Sequence, residues 1–199
     1  MTASGKFAPA LKIALVSLLL VLSSLAMAAD KNDETRTKVR EQSQKALARL
    51  YAAKPEAQQA IANSKGYATF SRWGMTLGVV GGSLGKGLLV DQPSGKETFM
   101  RFVEGSAGLG LGIKKYDLIF VFSDQKALDD FATNGWEAGG NATAAAKTGP
   151  GGLAMEGAAS VKPGVWVYQI TDKGLAAEVG IKGTKYYKDT SLNTASTPN

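Results

Sequence analysis

The chain has 199 residues, 44% of them hydrophobic and 20% charged, with a net charge of +6, which is enough apolar material for one modest domain with its own core. It contains no cysteine and no histidine. Disulfide staples, a lipid-bearing lipobox cysteine, thiol nucleophiles, zinc chemistry and serine–histidine catalysis are therefore excluded, and stability has to come from packing.

In chain order, Lys6 and Lys12 precede the apolar run IALVSLLLVLSSL, and AMA follows it. That is the order of a secretory signal peptide with a small-residue cleavage site, so residues 1–28 are read as a signal peptide. The run from Ile13 to Leu25 holds 13 residues, short of the ~20 that a spanning helix needs. Cleavage is expected after Ala28 or one residue later, leaving a periplasmic or secreted protein. Loss of Lys6 and Lys12 lowers the net charge to +4. Between Lys31 and Lys54 lie seven basic and three acidic residues, also +4, so the remainder is neutral overall.

Residues 29–56 read as a basic amphipathic helix. Val39, Ala46, Leu47 and Leu50 recur at helical spacing, while Lys31, Lys38, Lys45 and Arg49 form a cationic flank about a quarter-turn away. Such a helix can lie on anionic lipid or pack its apolar face on the domain, and the two are compatible. A second short helix follows Pro55, with Ala57, Ala60 and Ile61 inward and Gly66 as a stop.

From Tyr67 to about Lys188 the grammar changes to short β-branched and aromatic runs punctuated by glycine, as in YATF, KGLLVD, ETFMRFVEG, YDLIFVFSD, GVWVYQIT and TKYYKD. Many short strands at regular spacing indicate an antiparallel sheet that curls or closes. One helix interrupts them in SDQKALDDFATNG, with Ser123 or Asp124 as N-cap and Leu128 and Phe131 inward. The fold class is therefore α+β, a curved, glycine-rich antiparallel sheet or barrel-like β domain with N-terminal helices and one inserted helix. Residues 189–199, DTSLNTASTPN, are polar and aperiodic and read as a disordered tail.

Within EGSAGLGLGIKKYDLIFVFSD, Gly108, Gly110 and Gly112 alternate with Leu109, Leu111 and Ile113. An extended strand puts the glycines on one face and leaves it bare, which admits close approach by another backbone or a ligand. A dinucleotide loop is excluded because Ile113 stands where a third glycine is required, and GGSLGKG fails as a phosphate loop because Gly87 follows Lys86. Trp166, between valines, is expected in the core. Trp73, Trp136, Tyr186 and Tyr187 suit either a core or a bilayer interface. Lys114 and Lys115 suit either a headgroup or the protection of a strand edge. Asp129, Asp130, Glu137 and Glu156 read as solvated carboxylates, and TGPGGLAMEG as a flexible loop.

The blocks GYATFSRWGMTLGVVGGSLGKGLLV, VEGSAGLGLGIKKYDLIFVFSD, LDDFATNGWEAGGNATAAA and KGLAAEVGIKGTKYY, in this order, resemble the SYLF lipid-binding domain family over about Ala57 to Lys188. The resemblance assigns residues 57–188 to an SYLF-like domain. It implies a curved antiparallel β domain with flanking helices, no enzymatic activity, no cofactor and binding of anionic lipids, notably phosphoinositides in eukaryotic relatives. Some fungal relatives also bind actin filaments. Arg72 falls where the family usually has a basic residue, Trp73 departs from a small one, and Lys182 occupies a slot often acidic in relatives. An exported protein meets neither actin nor, ordinarily, phosphoinositides, so the expected partner is another anionic lipid. Nucleic acid is not expected.

The expected function is thus an exported, non-enzymatic lipid-binding protein, with Lys38, Lys45, Arg49, Arg72, Lys86, Lys114 and Lys115 as lipid contacts and Gly108, Gly110 and Gly112 as scaffold. The alternative is a structural or protein-interaction module of the cell envelope. If AMA is the cleavage site, N-terminal sequencing of protein from the envelope reads from Ala29 or Asp30. Recovery of most molecules with residues 1–28 attached would establish an anchor instead.

Overall fold

The computed structural model describes residues 9–71, 81–106, 116–138, 143–145, 155–176, 178–180 and 183–194. Helix α1, Pro9–Ala53, passes through Ala28 without a break in the backbone. From Lys31 onward it buries Val39, Ser43, Ala46 and Leu50, one stripe at spacings of four and three. Pro55 lacks an N–H and restricts the residue before it, so α1 ends at Ala53 and α2, Glu56–Ala62, starts afresh with Ala57, Ala60 and Ile61 inward.

The strands are β1 Gly66–Ser71, β2 Gly81–Asp91, β3 Glu97–Ser106 and β4 Tyr116–Phe122. After α3, Gln125–Asn134, come β5 Trp136–Ala138, β6 Thr143–Ala145, β7 Ala159–Lys162, β8 Val165–Thr171, β9 Gly174–Leu175, β10 Glu178–Gly180, β11 Thr184–Lys188 and the short α4 Thr190–Asn193. One strongly curled antiparallel sheet, a half-barrel, runs in the order β5, β11, β3, β2, β1, β4, β8, β7, with β9 added to β8. Strands β6 and β10 pair separately. This is the α+β architecture expected from the sequence.

Residues opposite one another in an antiparallel register share a face, so the pairing sorts every side chain. The inner face carries Phe70, Phe102, Phe120, Phe122 and Tyr186, closed over by Leu128 and Phe131 of α3. Phe70 and Tyr186 have ring centroids 4.7 Å apart, and Phe120 lies 5.1 Å from Tyr186. Gly85 and Gly87 of β2 face this cluster. A Cβ on Gly87 would sit 2.5 Å from the Thr69 carbonyl oxygen and against the Phe70 ring, and one on Gly85 would sit 2.5 Å from Phe102 Cζ. Gly108, Gly110 and Gly112, for which the bare-face argument was made, lie outside the described residues, and the argument applies to β2.

The outer face is covered in two places. Leu50, Ala57, Ala60 and Ile61 pack on Ile119, Val121, Trp166, Tyr168 and Ile170, and Val39 with Leu192 packs on Leu88 and Phe99. All seven residues of β4 are buried, Asp117 included, and its apolar run 118–122 suits a strand covered on both sides. Asp124 caps α3 by accepting from the Ala127 N–H at 2.9 Å, and Gly135, at φ 68°, ends it.

Residues 189–194, the described part of the polar tail, depart from the expectation of disorder. Asp189 is fully buried, Leu192 is 2% exposed, and Thr190–Asn193 is helical. Its polar groups found partners that composition does not reveal. Asn193 donates to the Phe99 carbonyl at 2.7 Å and accepts from the Phe99 N–H at 3.0 Å. Arg36 donates to the carbonyls of Leu192 at 2.9 Å and Thr194 at 2.8 Å.

Gly87→Ala is expected to lower stability by about 1–3 kcal/mol, the usual cost of overpacking, despite the better strand propensity of alanine. Denaturant unfolding checks this, and an unchanged or raised midpoint would show that the inner face has room.

Candidate functional site

Four of the seven basic residues of Lys31–Lys54 fasten α1 to the rest of the molecule or to its own helix. Arg36 holds the tail carbonyls and pairs with Asp33. Arg40 binds Glu97 at 2.7 Å and stands 5.1 Å over the Phe99 ring. Arg49 donates to Asp117 at 2.6 Å and to the Thr171 carbonyl at 2.9 Å, and Lys54 donates to Glu156 at 3.1 Å. Lys31, Lys38 and Lys45 face solvent, but Glu34 and Glu41 fall between them on the same exposed stripe. Lys38 is engaged with Glu34 at 2.5 Å, and the Lys38 hydrogen bond holds the Glu34 carboxyl below its usual range. The flank is an alternating Lys-Glu-Lys-Glu-Lys stripe of net +1. Lys38 and Lys45 thus stand on a nearly balanced surface, and Arg49 is a tie between α1, β4 and β8.

A different surface gathers apolar and cationic groups. On the outer face of β2 and β3, Leu84 stands opposite Val103 and Lys86 opposite Arg101. On β11, Lys185 stands beside Val103 and Tyr187 beside Arg101. Leu84 is 61% exposed and Val103 37%, the two large hydrophobics so exposed among the described residues. Lys185 is exposed and 3.9 Å from Glu137, and Arg101 lies 5.6 Å over the Tyr187 ring. Val39 of α1 and Leu192 of α4 pack on Leu88 and Phe99, while Leu84 and Val103 stay exposed.

Lys86, one of the expected lipid contacts, belongs to this surface but donates to Asp189 at 2.8 Å. Arg101 Nε lies 3.9 Å from the same carboxylate oxygen. Burial alone would raise the Asp189 pKa. Hydrogen bonds from Lys86 and Ser191, with the charges of Lys86 and Arg101, outweigh that and hold it below the usual carboxylate range. Arg72, Lys114, Lys115 and Lys182 lie outside the described residues, as do Trp73 and most of TGPGGLAMEG.

At the open side of the half-barrel a cleft of about 280 Å³ separates α3 from the β7–β8 turn, floored by Phe122, Phe131, Trp136 and Val165. Lys162 of β7 stands 5.2 Å over the ring of Trp136 in β5, so a cation–π contact bridges the two edge strands. Asp130 at the rim is taken by Lys126 at 2.7 Å.

No group of three or more potential metal ligands occurs among the described residues. Burial pushes the Tyr168 hydroxyl up to about 12 and that of Tyr186 well above 10, while Asp91 and Asp189 are lowered and Lys54 and Lys126 raised by their hydrogen-bond partners. Each of these shifts moves a group away from neutrality, opposite to the tuning a general acid or base needs.

Residues 103–196 match the family described as Ysc84, a Las17-binding protein actin regulator. The chain carries a Ysc84 (SYLF) domain. This family is a non-enzymatic binding domain, known for actin and lipid binding. The chain is also similar to Beta cell expansion factor A of Aeromonas veronii, 31% identical over 163 residues that make up 82% of this chain and 60% of that protein. It thus spans about three-fifths of the length of that relative. The SYLF match runs past Lys188 through α4, which makes Asp189 and the tail helix part of the domain.

The lowered pKa of Asp189 has a pH consequence. Its ion pairs stabilise the fold above the ordinary carboxylate pKa near 3.8 and lose that effect as pH falls through the lower folded-state value. The stability difference between the parent and Asp189→Asn is therefore expected at pH 7 and should close in strong acid. Chemical denaturation across pH 2–7 checks it, and a difference that stays constant would remove Asp189 from the electrostatics.

Proposed function

We propose that this protein is an exported, non-enzymatic lipid-binding protein that meets an anionic membrane surface through the outer face of β2, β3 and β11. The observation that carries this reading is the exposed pair Leu84 and Val103 set beside Lys86, Arg101 and Lys185. An interface between hydrocarbon and phosphate takes apolar side chains and cations together, the apolar ones contributing through burial and the cations through attraction to the headgroups. The known lipid binding of the SYLF family supports the same partner class. Export rests on Lys6, Lys12, the apolar run Ile13–Leu25 and AMA. The non-enzymatic reading rests on the absence of histidine and cysteine and on carboxylate, tyrosine and lysine shifts that all lead away from neutrality. The alternating charge of the α1 stripe gives the helix a secondary part.

Flotation of the protein with phosphatidylglycerol-containing vesicles at low salt tests the reading. Leu84→Ser combined with Val103→Ser is expected to weaken binding about tenfold, since each removes apolar surface from the contact. Neutralising Lys31, Lys38 and Lys45 to glutamine is expected to weaken it less. A fall of about two powers of ten in that helix variant would move the membrane contact to α1. Absence of binding by both the parent protein and Asp189→Asn would favour an envelope protein as partner, in line with the Las17-binding description of the family.

A further inference from the structure

The outer face of β2 and β3 is a ladder of three pairs in register: Leu84 with Val103, Lys86 with Arg101, Leu88 with Phe99. Each rung meets a different fate. The first is exposed, the last is roofed by Leu192 and Val39, and the middle one is held by the carboxylate of Asp189. Both the roof over Leu88 and Phe99 and the anion between the cations thus involve the segment that follows β11.

We propose that Lys86 and Arg101 form a headgroup subsite for the phosphate of an anionic lipid, and that Asp189–Asn193 occupies this subsite as an internal ligand. The inference rests on the lipid reading above and adds to it a place and a means of control. The geometry is that of a bound anion. One carboxylate oxygen lies 2.8 Å from Lys86 Nζ and 3.9 Å from Arg101 Nε, with Asp189 1% exposed while the two cations remain 38% and 46% exposed. The anion is covered and its cations reach solvent, so a phosphate oxygen arriving from outside can take over the same contacts, with arginine adding its fork.

The rungs on either side suit the same occupant. Leu84 and Val103 flank the cations above, and departure of Leu192 would uncover part of Leu88 and Phe99 below, with Val39 still packed on them. The ladder would then present an apolar pair, a cationic pair and the margin of a second apolar pair in succession. Retention of the tail depends on one buried leucine and a set of exchangeable polar bonds. These include Arg36 to the Leu192 and Thr194 carbonyls, Asn32 to the Ser191 carbonyl at 3.3 Å, and Asn193 to the Phe99 backbone. A segment held in this way opens at lower free energy than the sheet beneath it. Tail and bilayer compete for one site, and by linkage whatever loosens the tail must tighten membrane binding to the same degree.

The test compares the full chain, Asp189→Asn and a chain ending at Lys188 for binding to phosphatidylglycerol–phosphatidylcholine vesicles at low salt, each also carrying Lys86→Gln with Arg101→Gln. Circular dichroism and thermal unfolding establish which variants are folded, and Asp189→Asn suffices if the shortened chain is not. Release of two cations should tighten vesicle binding about tenfold or more in Asp189→Asn, and the gain should vanish when Lys86 and Arg101 are glutamine. Binding by Asp189→Asn but not by the full chain would support the tail as internal ligand most directly. If the full chain binds and folded Asp189→Asn binds no better, the tail inference is overturned while the lipid reading stands. A gain that survives loss of both cations would also overturn it, assigning the effect to uncovered apolar surface. No binding by any variant would overturn both.

Discussion

The fold depends on the contact between two glycines and two aromatic rings. Gly85 and Gly87 leave the inner face of β2 empty, so that Phe70 from β1 and Phe102 from β3 can lie across it. Rings from the two strands that flank β2 then meet edge-on at 6.0 Å and build a single cluster with Phe120, Phe131 and Tyr186. A sheet with bulk on its flanking strands and none in between curls toward the emptied strand. The curl gives α3 a concave face to plug, and it turns the outer face into the convex surface on which α1, α2 and α4 sit.

Electrostatics has a different task in this molecule than the net charge suggests. The basic helix is basic because it is pinned by cations. Arg36, Arg40, Arg49 and Lys54 each reach a carboxylate, and Arg36 and Arg49 also reach a carbonyl. Arginine predominates among these ties, in keeping with its ability to hold several acceptors at once. Bringing α1 down on the sheet positions Val39 and Leu50 over their partners and leaves the far end of β2 and β3 uncovered among the described residues. The exposed Leu84 and Val103 are therefore what remains after the helix has taken its share of the convex face.

Much of this was legible in the sequence, for identifiable reasons. The helices α2 and α3 follow from Pro55, the Asp124 cap and apolar residues at helical spacing, signals that are local and chemical. Strand β4 follows from an apolar run that fits only a strand covered on both faces. The roles of Arg49 and Lys86 were not legible, because Asp117 and Asp189 lie 68 and 103 residues away and nothing local marks a pair formed across the fold. The order of residues 189–194 was not legible for the same reason. Their composition is that of a disordered segment, and the groups that order them, Arg36 and the Phe99 backbone, belong to other parts of the chain. The cationic flank of α1 was misread by following lysines alone, since Glu34 and Glu41 share their stripe.

The contact between Lys162 and Trp136 gives the molecule an optical property. Of the three tryptophans, Trp166 sits in the outer core at 5% exposure and Trp73 lies outside the described residues, whereas Trp136 is half-buried beneath an ammonium group between the edge strands β5 and β7. An indole in that position has its emission colour and yield set by the distance to the charge above it. Any spreading of β5 from β7 changes that distance. The unclosed side of the half-barrel thus carries its own fluorophore, one that needs no label and responds to the width of the gap.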